Sequence, residues 1–276
     1  MLGNFKVAGT ILNNLNKSYT ASDLAMQKIS SGNRINSAAD DAAGLAISEK
    51  LLSQMNGLNM AAKNTQDGIS LINTAEGAMN EIHAIAQSMR EKAVQAANDT
   101  NAPEEREALN NQIQQYIQEI NRIASNTDFN TKKLLNGDHK EKAIKLQIGA
   151  NSGQHMDIFI GNMSWESLLG KHAGSSDLNL LTQGNADKMI GVLDGVLKNV
   201  SSERSTMGAY TNRLEHAYNV TLNTGENLTT AYAQIKDVDI AKEIMNLTKE
   251  NLKQQVATSV LSMHMQSASN VLNLLR

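Results

Sequence analysis

The sequence contains no cysteine and a single proline, Pro103, and aromatic residues make up 3% of its 276 positions. The absence of cysteine excludes disulfides, thiol catalysis and cysteine-based metal sites. With so few aromatic residues, the core must be packed from Leu, Ile, Val, Met and Ala. The scarcity of proline, together with many Ala, Gln, Asn and Leu residues, favours long uninterrupted helices.

Charge and hydropathy exclude further classes of protein. The formal net charge of −3 at pH 7 provides no electrostatic footprint for nucleic acid. No run of residues approaches the ~18 apolar positions of a membrane-spanning helix, so we expect no membrane insertion. Residues 1–15 lack the basic and apolar regions of a cleaved signal peptide, so secretion would need another route.

Apolar periodicity predicts long helices in the first third of the chain. Residues from about 11 to 30 place Ile11, Leu15 and Ala25 on one helix face. Residues from about 42 to 98 repeat apolar positions by four and three, as in a heptad seam, and as one helix would extend about 85 Å. Such a length suits a rod. The second half of this seam contains Met79, Ile82, Ala86, Met89, Ala93 and Ala96.

A turn and a third helix follow. Asn101 is the predicted N-cap of that helix and Glu104 its reciprocal cap. From about 126 to 185 the helical pattern stops, and apolar residues alternate on either side of Asn151-Ser152-Gly153, which predicts a β-hairpin. Helical patterns resume from about 186 to 233 and from about 240 to 275.

The two ends of the chain are periodic but almost uncharged. Residues 1–22 carry only Lys6 and Lys17 as charges, and Lys253 is the only formal charge between 251 and 275. Two interpretations are open: the ends pair as a coiled coil within one chain, or they are buried between several chains. The apolar surface that two paired helices leave exposed favours burial between chains.

No catalytic constellation is evident. The histidines form no i, i+4 pair, and Gly-x-Ser-x-Gly, P-loop and EF-hand motifs are missing. Asp40 and Asp41 are adjacent, so on a helix they point about 100° apart and cannot address one substrate atom. We therefore predict that the chain is not an enzyme and has no metal site and no cofactor.

Several segments together resemble bacterial flagellin. The resemblance covers nearly the whole chain in family order, and it includes "SSGNRINSAADDAAGLAISEKL" (30–51), "QDGISLINTAEGAMNEI" (66–82), "NTDFNTKKLLNG" (126–137), "LQIGANSGQ" (146–154), "ERSTMGAYTNRLE" (203–215) and "SVLSMHMQSASNVLNLLR" (259–276).

The resemblance implies a mainly α fold, a long helical rod with a terminal coiled coil and a small β-hairpin region. Residues 1–44 plus 232–276 would form the inner coiled-coil domain. Residues 45–231 would form the rod, with the hairpin near 144–160. The outer variable domains would be absent or minimal, at about 163–185.

The implied function is that of a structural subunit that polymerises helically into the extracellular flagellar filament for motility. The implied partners are other copies of the chain, the flagellar export chaperone, the export apparatus, and the cap and junction proteins. Two alternatives remain: the hook–filament junction protein, and a peptidase on a flagellin scaffold. The peptidase would need a zinc motif that the middle of the chain lacks.

The resemblance also assigns roles to three sets of residues. A polar segment where the terminal domain passes into the rod, which contacts neighbouring subunits in flagellins, contains Asn33, Arg34, Asn36, Asp40 and Asp41. There the Arg34 guanidinium would donate hydrogen bonds to Asp40 or Asp41. Alternatively, the charged residues merely cap the start of a helix, with Asp near the positive end of its dipole. The filament-core and chaperone-binding candidates are Val256, Val260, Met263, Val271 and Leu274.

The third set lies in "QSMREKAVQA" (87–96), which resembles the segment bound by the host Toll-like receptor for flagellin. Ser88, Lys92 and Gln112 depart from strongly stimulating versions, so we expect weak binding and low signalling. The candidate contacts are Gln87, Arg90, Glu91, Ala93, Val94 and Gln95.

Overall fold

The computed structural model describes residues 2–170 and 178–274, and these are mainly α-helical. The predicted fold class is confirmed. None of the helices in these ranges combines the length and the apolar character that crossing a bilayer requires. In chain order the elements are α1 (Leu2–Ser31), α2 (Ala42–Ala96), α3 (Pro103–Asn126), β1 (Asp128–Phe129), β2 (Lys132–Lys133), β3 (Ile144–Gln147), β4 (His155–Ile158), α4 (Trp165–Leu169), α5 (Gln183–Lys236) and α6 (Ile240–Leu274).

The start of α3 differs from the prediction by one residue. Ala102 occupies the N-cap position, and its backbone N–H donates to the Glu105 carboxylate at 3.1 Å. Asn101, the predicted cap, instead donates its side-chain amide to the carbonyl of Asn98 at 3.2 Å. This amide therefore satisfies backbone acceptors just after α2, and Glu105 takes the capping role predicted for Glu104.

The chain divides into two compact units: a terminal unit (residues 1–53 with 226–276) and a middle unit (residues 54–225). The domain limits expected from the resemblance, at 44/45 and 231/232, stay a prediction. So does the absence of outer domains, since residues 171–177 lie outside the described part of the chain.

The core of the middle unit is formed by apolar faces of α2, α3 and α5. The predicted seam of α2 from Met79 to Ala96 is fully buried. Its partners repeat every four or seven residues, which is the spacing of one helix face. They are Ile113 and Ile120 on α3, and Met189, Leu193, Val200, Met207 and Leu214 on α5.

The predicted hairpin near 144–160 is confirmed as an antiparallel pair. Ile144 of β3 faces Ile158 of β4, and Ile158 is fully buried. The hairpin lies close to α2: a Cβ added at Gly68 would come within 2.2 Å of a Leu146 methyl carbon. Glycine at this position therefore permits a contact that any other residue would obstruct.

Candidate functional site

The polar segment between α1 and α2, residues 32–41, forms a hydrogen-bonded junction. The Asp40 carboxylate accepts the backbone N–H groups of Asn36 at 3.0 Å and Ser37 at 2.9 Å. These bonds, from Ser37 first and then Asn36, hold the pKa of Asp40 below its ordinary value, since they favour the ionised carboxylate. Asp40 thereby fixes the turn that leads into α2.

Asp41 caps α2. Its carboxylate accepts the backbone N–H of Gly44 at 2.9 Å, which satisfies one of the free donors at the helix start. A Cβ at Gly44 would lie 2.5 Å from the Asp41 carboxylate and 2.7 Å from Ile35 Cδ1. The absence of a side chain at Gly44 lets the cap and the buried Ile35 come this close.

Arg34 binds the end of α5. Its Nε and Nη2 donate to the carbonyl of Ile235 at 3.2 and 2.8 Å, and its backbone N–H donates to the carbonyl of Lys236 at 2.7 Å. The cation thus meets the last, unpaired carbonyls of a helix, where the helix dipole is negative.

The expected pairing of Arg34 with Asp40 or Asp41 is therefore wrong, because both carboxylates are committed to backbone N–H groups. The alternative, in which the acidic residues cap a helix start, agrees with the geometry. Asn33 pairs with Asp237 in an isolated antiparallel bridge, and Val238 donates its N–H to the carbonyl of Gly32 at 3.0 Å. The junction thus connects the α1–α2 segment to the α5–α6 segment within the terminal unit.

The contact between α1 and α6 has a small and partly polar seam. Its α1 positions are Leu15, Ser18, Ser22 and Ala25, all buried and spaced by three and four, as in a coiled coil. Ser18 Oγ lies 3.0 Å from the carbonyl oxygen of Glu250 and 2.8 Å from its carboxylate.

Two more bonds cross the same seam. Gln254 donates to the carbonyl of Ser18 at 3.1 Å, and Ser22 donates to the Asn251 side chain at 3.3 Å. Lys253 and then Ser18 lower the pKa of Glu250 by bonding its carboxylate. These specific bonds fix the register of the two helices, while the seam buries little apolar area.

One face of α6 carries an uncovered apolar stripe. At 3.6 residues per turn, five exposed apolar side chains fall within an arc of about 80°, which they share with one exposed charge, Lys249. Val256 is 61% exposed and Met263 is 62% exposed. Val271 and Leu274, predicted as further core residues, have side chains that lie outside the described residues. The α6 stripe consists of Met245, Leu252, Val256, Val260 and Met263.

A groove of about 930 Å³ adjoins this stripe. It lies between α1 and α6 and is lined on one side by Ile11 and Ala21 and on the other by Leu252, Val256 and Val260. A mostly apolar groove on a pair of exposed helices offers a place for a complementary helix face.

The segment 87–95 on α2 presents a surface in the middle unit. Gln87, Glu91, Val94 and Gln95 are exposed. Arg90 is partly exposed, and its Nε lies 2.6 Å from Asp194 Oδ1 on α5. Ala93 is fully buried and offers no surface to a receptor, so its assignment as a contact is wrong. Its place in the apolar seam explains the burial.

Sequence patterns did not reveal the partners of these residues. Asp194, Ile235 and Glu250 are distant in sequence from Arg90, Arg34 and Ser18, and a backbone carbonyl such as that of Ile235 leaves no mark in the sequence. A signal was available at Ser18 and Ser22, because two serines within an otherwise apolar seam indicate polar contacts across it, although they do not identify the partner residues. Among the described residues, no cluster of three or more His, Asp or Glu side chains is placed to hold a metal ion.

Comparisons with known proteins agree with one another. Residues 5–140 match the family model described as the bacterial flagellin N-terminal helical region, and residues 190–275 match that of the C-terminal helical region. The chain is 46% identical over 252 residues to a flagellin of Halalkalibacterium halodurans, covering 91% of each chain. It is 42% identical over 292 residues to a flagellin of Bacillus subtilis, covering 96% of each. The crystal structure of Bacillus cereus flagellin superposes with a TM-score of 0.50 at 32% identity, over 57% of this chain and 88% of that one.

Proposed function

This chain belongs to the bacterial flagellin family and is a structural subunit of a flagellar filament, and we propose that α1 and α6 make the contacts that join neighbouring subunits. The observation that carries this proposal is the α6 stripe. Large apolar side chains such as Val256 and Met263 are more than half exposed along one face. Burying such side chains is worth ~1.5–3 kcal/mol each, and repeated subunit contacts would supply that burial.

A matched pair of valine substitutions tests the proposal. Val256 on α6 is 61% exposed, and Val220 on α5 of the middle unit is 64% exposed. We expect Val256→Asn to reduce the rate of seeded polymerisation at least tenfold and Val220→Asn to leave it nearly unchanged. Sedimentation and electron microscopy measure both. Equal polymerisation of the two variants would refute the role of the stripe.

For the junction, we propose a positioning role in assembly. Asn33, Arg34 and Asn36 lie in a segment held to the end of α5 through the Ile235 and Lys236 carbonyls, and Asp40 and Asp41 fix its turn and the start of α2. A junction fixed in this way sets the direction in which α1 and α6 meet a neighbouring subunit. Arg34→Lys keeps the charge but loses the two-point donation, so the variant should form irregular filaments.

We also propose that the α6 stripe serves the export chaperone before assembly. Val256, Val260 and Met263 give an apolar face with few charges, which a chaperone covers until the subunit passes through the export apparatus to the cap at the growing extracellular end. Val271 and Leu274 extend the same candidate set in sequence. The Val256→Asn variant should bind purified chaperone more weakly than Val220→Asn does.

A second candidate role, recognition by a host Toll-like receptor, is favoured by the exposed side chains of 87–95. The accessible side chains are Gln87, Glu91, Val94 and Gln95. Arg90 forms an ion pair with Asp194. Because Arg90 already donates to an acidic partner, we propose that binding is weak. A receptor reporter assay on the monomer tests this.

A further inference from the structure

Most of the methionines are either exposed or buried, and Met55 is intermediate. Because the chain has no cysteine, its thirteen methionines hold all of its sulfur. In the terminal unit Met26, Met245, Met263 and Met265 are each more than half exposed. In the middle unit Met60 is also exposed, whereas six others are at most 6% exposed: Met79, Met89, Met156, Met163, Met189 and Met207.

Two of the exposed methionines share the α6 stripe. Met245 and Met263 are 18 residues apart, which is five full turns of helix, so they lie one above the other with Val256 between them. Met265 lies two residues beyond Met263. Its side chain therefore points about 200° around the helix axis from the direction that Met245 and Met263 share. The same helix therefore carries exposed methionines both on the stripe and off it.

We propose that Met245 and Met263 form a redox modification site, at which a peroxide-class oxidant switches off subunit assembly. The inference rests on the proposed role of α6. In the reaction the thioether sulfur attacks one peroxide oxygen, an S–O bond forms and the O–O bond breaks. The sulfur loses two electrons, and the departing oxygen takes up a proton to leave as water or an alcohol. Methionine sulfoxide is reducible again by a sulfoxide reductase.

The effect follows from the change in polarity. A sulfoxide is polar and chiral, and at an apolar contact it must be buried without a dedicated hydrogen-bond partner. Two such groups on one stripe oppose the burial that the proposed assembly requires. The buried methionines of the middle unit are protected by packing, so the same oxidant leaves that unit folded.

The experiment treats the full-length monomer with dilute hydrogen peroxide, maps sulfoxides by mass spectrometry and then measures seeded polymerisation. We expect sulfoxide at the exposed methionines and little at the six buried ones. We expect the critical concentration for polymerisation to rise at least about tenfold and to return after treatment with sulfoxide reductases.

Two double variants locate the effect. Measured against its own untreated level, polymerisation of Met245→Leu with Met263→Leu should be little reduced by peroxide, whereas that of Met60→Leu with Met265→Leu should be reduced as in the natural chain. Inhibition of both variants, or no inhibition of the natural chain once Met245 and Met263 are oxidised, would overturn the inference. If the stripe variant does not assemble even untreated, failure of reductase to restore assembly of the oxidised natural chain overturns it instead.

The proposed role of α6 is tested separately, on untreated protein. If untreated Val256→Asn polymerises like Val220→Asn, the role of the stripe fails. If the valine variants differ as expected but oxidation at Met245 and Met263 has no effect, only the redox inference fails.

Discussion

The terminal and middle units bury their side chains in opposite ways. In the middle unit, α2, α3 and α5 share a continuous core in which many large side chains, among them Ile82 and Met207, are fully buried. Among the described residues of the terminal unit, the buried apolar side chains are Leu15, Ala25 and Ile35, and four buried polar residues join them. One unit therefore has the core of a folded domain, and the other has little more than a seam.

The difference indicates where each unit obtains its stability. Helices stabilised only by a narrow seam are marginal in water, and the terminal unit exposes apolar residues on both α1 and α6, such as Leu12 and Leu252. The polar bonds of Ser18 and Ser22 fix register without adding much buried area. We infer that the middle unit folds on its own core and that the terminal unit gains most of its stability on assembly.

Removing residues 257–276 should have the largest effect. The deletion takes away Val260 and Met263 of the α6 stripe together with the segment containing Val271 and Leu274. We expect polymerisation to be abolished, because the same loss of burial repeats at every subunit contact. The melting temperature of the middle unit should stay within about 2 °C, since surface changes outside a core cost little.

Seeded growth followed by electron microscopy measures assembly, and calorimetry of the monomer measures the core. Long filaments from the shortened chain would contradict the comparison between the units. A large fall in the melting temperature of the middle unit would also contradict this comparison, because it would show that α6 supports the middle unit.

Hydrogen exchange should separate the two units without any substitution. In the monomer we expect amides of α1 and α6 to exchange quickly, through local opening, while those of α2 around Ile82 and α5 around Val200 exchange slowly. On assembly the terminal helices should become protected by orders of magnitude. Equal protection of α1 and α6 in monomer and filament would show that the terminal unit is already stable alone.

A matched isoleucine pair sharpens the contrast in stability. Ile82 in the middle unit is fully buried, and Ile244 in the terminal unit is 49% exposed. Ile82→Ala should lower the free energy of unfolding by ~2–5 kcal/mol through lost burial and a cavity. Ile244→Ala should change it by less than about 0.5 kcal/mol. Urea denaturation of the two monomers checks both values, and equal losses would contradict the assignment of the core.

The sequence predicted elements better than partners. Heptad spacing placed Met79 to Ala96 on the buried face of α2, and period-two alternation located the β3–β4 hairpin. The resemblance then placed Ala93 among receptor contacts, whereas its seam position already required burial. Arg34 was matched to nearby carboxylates because charge is visible in a sequence. Its actual acceptor is the Ile235 carbonyl, about two hundred residues away, which only the fold brings close.

Two glutamates should respond to pH with opposite signs in the two units. Burial, the largest cause, raises the pKa of Glu203 in the middle unit despite Lys140 and the Gly161 N–H. The stability that Glu203 contributes is complete below the pKa that it has in the unfolded chain. It is lost as pH rises through the pKa that it has in the folded protein. The Lys253 and Ser18 bonds lower the pKa of Glu250 in the terminal unit, so its contribution is present above the unfolded pKa and is lost as pH falls through the folded value.

Carboxyl NMR titration should therefore place Glu203 above and Glu250 below an unstructured glutamate. Glu203→Gln should stabilise the middle unit slightly at neutral pH relative to the natural chain, with the difference shrinking on acidification. A melting-temperature difference independent of pH would show that Glu203 is not held in the unfavourable ionised form.

The smallest expected effect on stability concerns the exposed pair of Arg90 and Asp194, 2.6 Å apart. Exposed ion pairs contribute ~0.2–1 kcal/mol, so Asp194→Asn should barely change unfolding. It should nevertheless raise the receptor response of the monomer, because the Arg90 guanidinium becomes free to bond an acidic group of the receptor.

Glu119→Gln is the matched control, since it breaks another exposed pair of the middle unit, Arg122 to Glu119 at 2.7 Å, without touching Arg90. Adding Ser88→Arg and Lys92→Leu to Asp194→Asn should raise the response further. Equal responses from Asp194→Asn and Glu119→Gln in a reporter assay would show that this surface, although folded in the monomer, is not what the receptor reads.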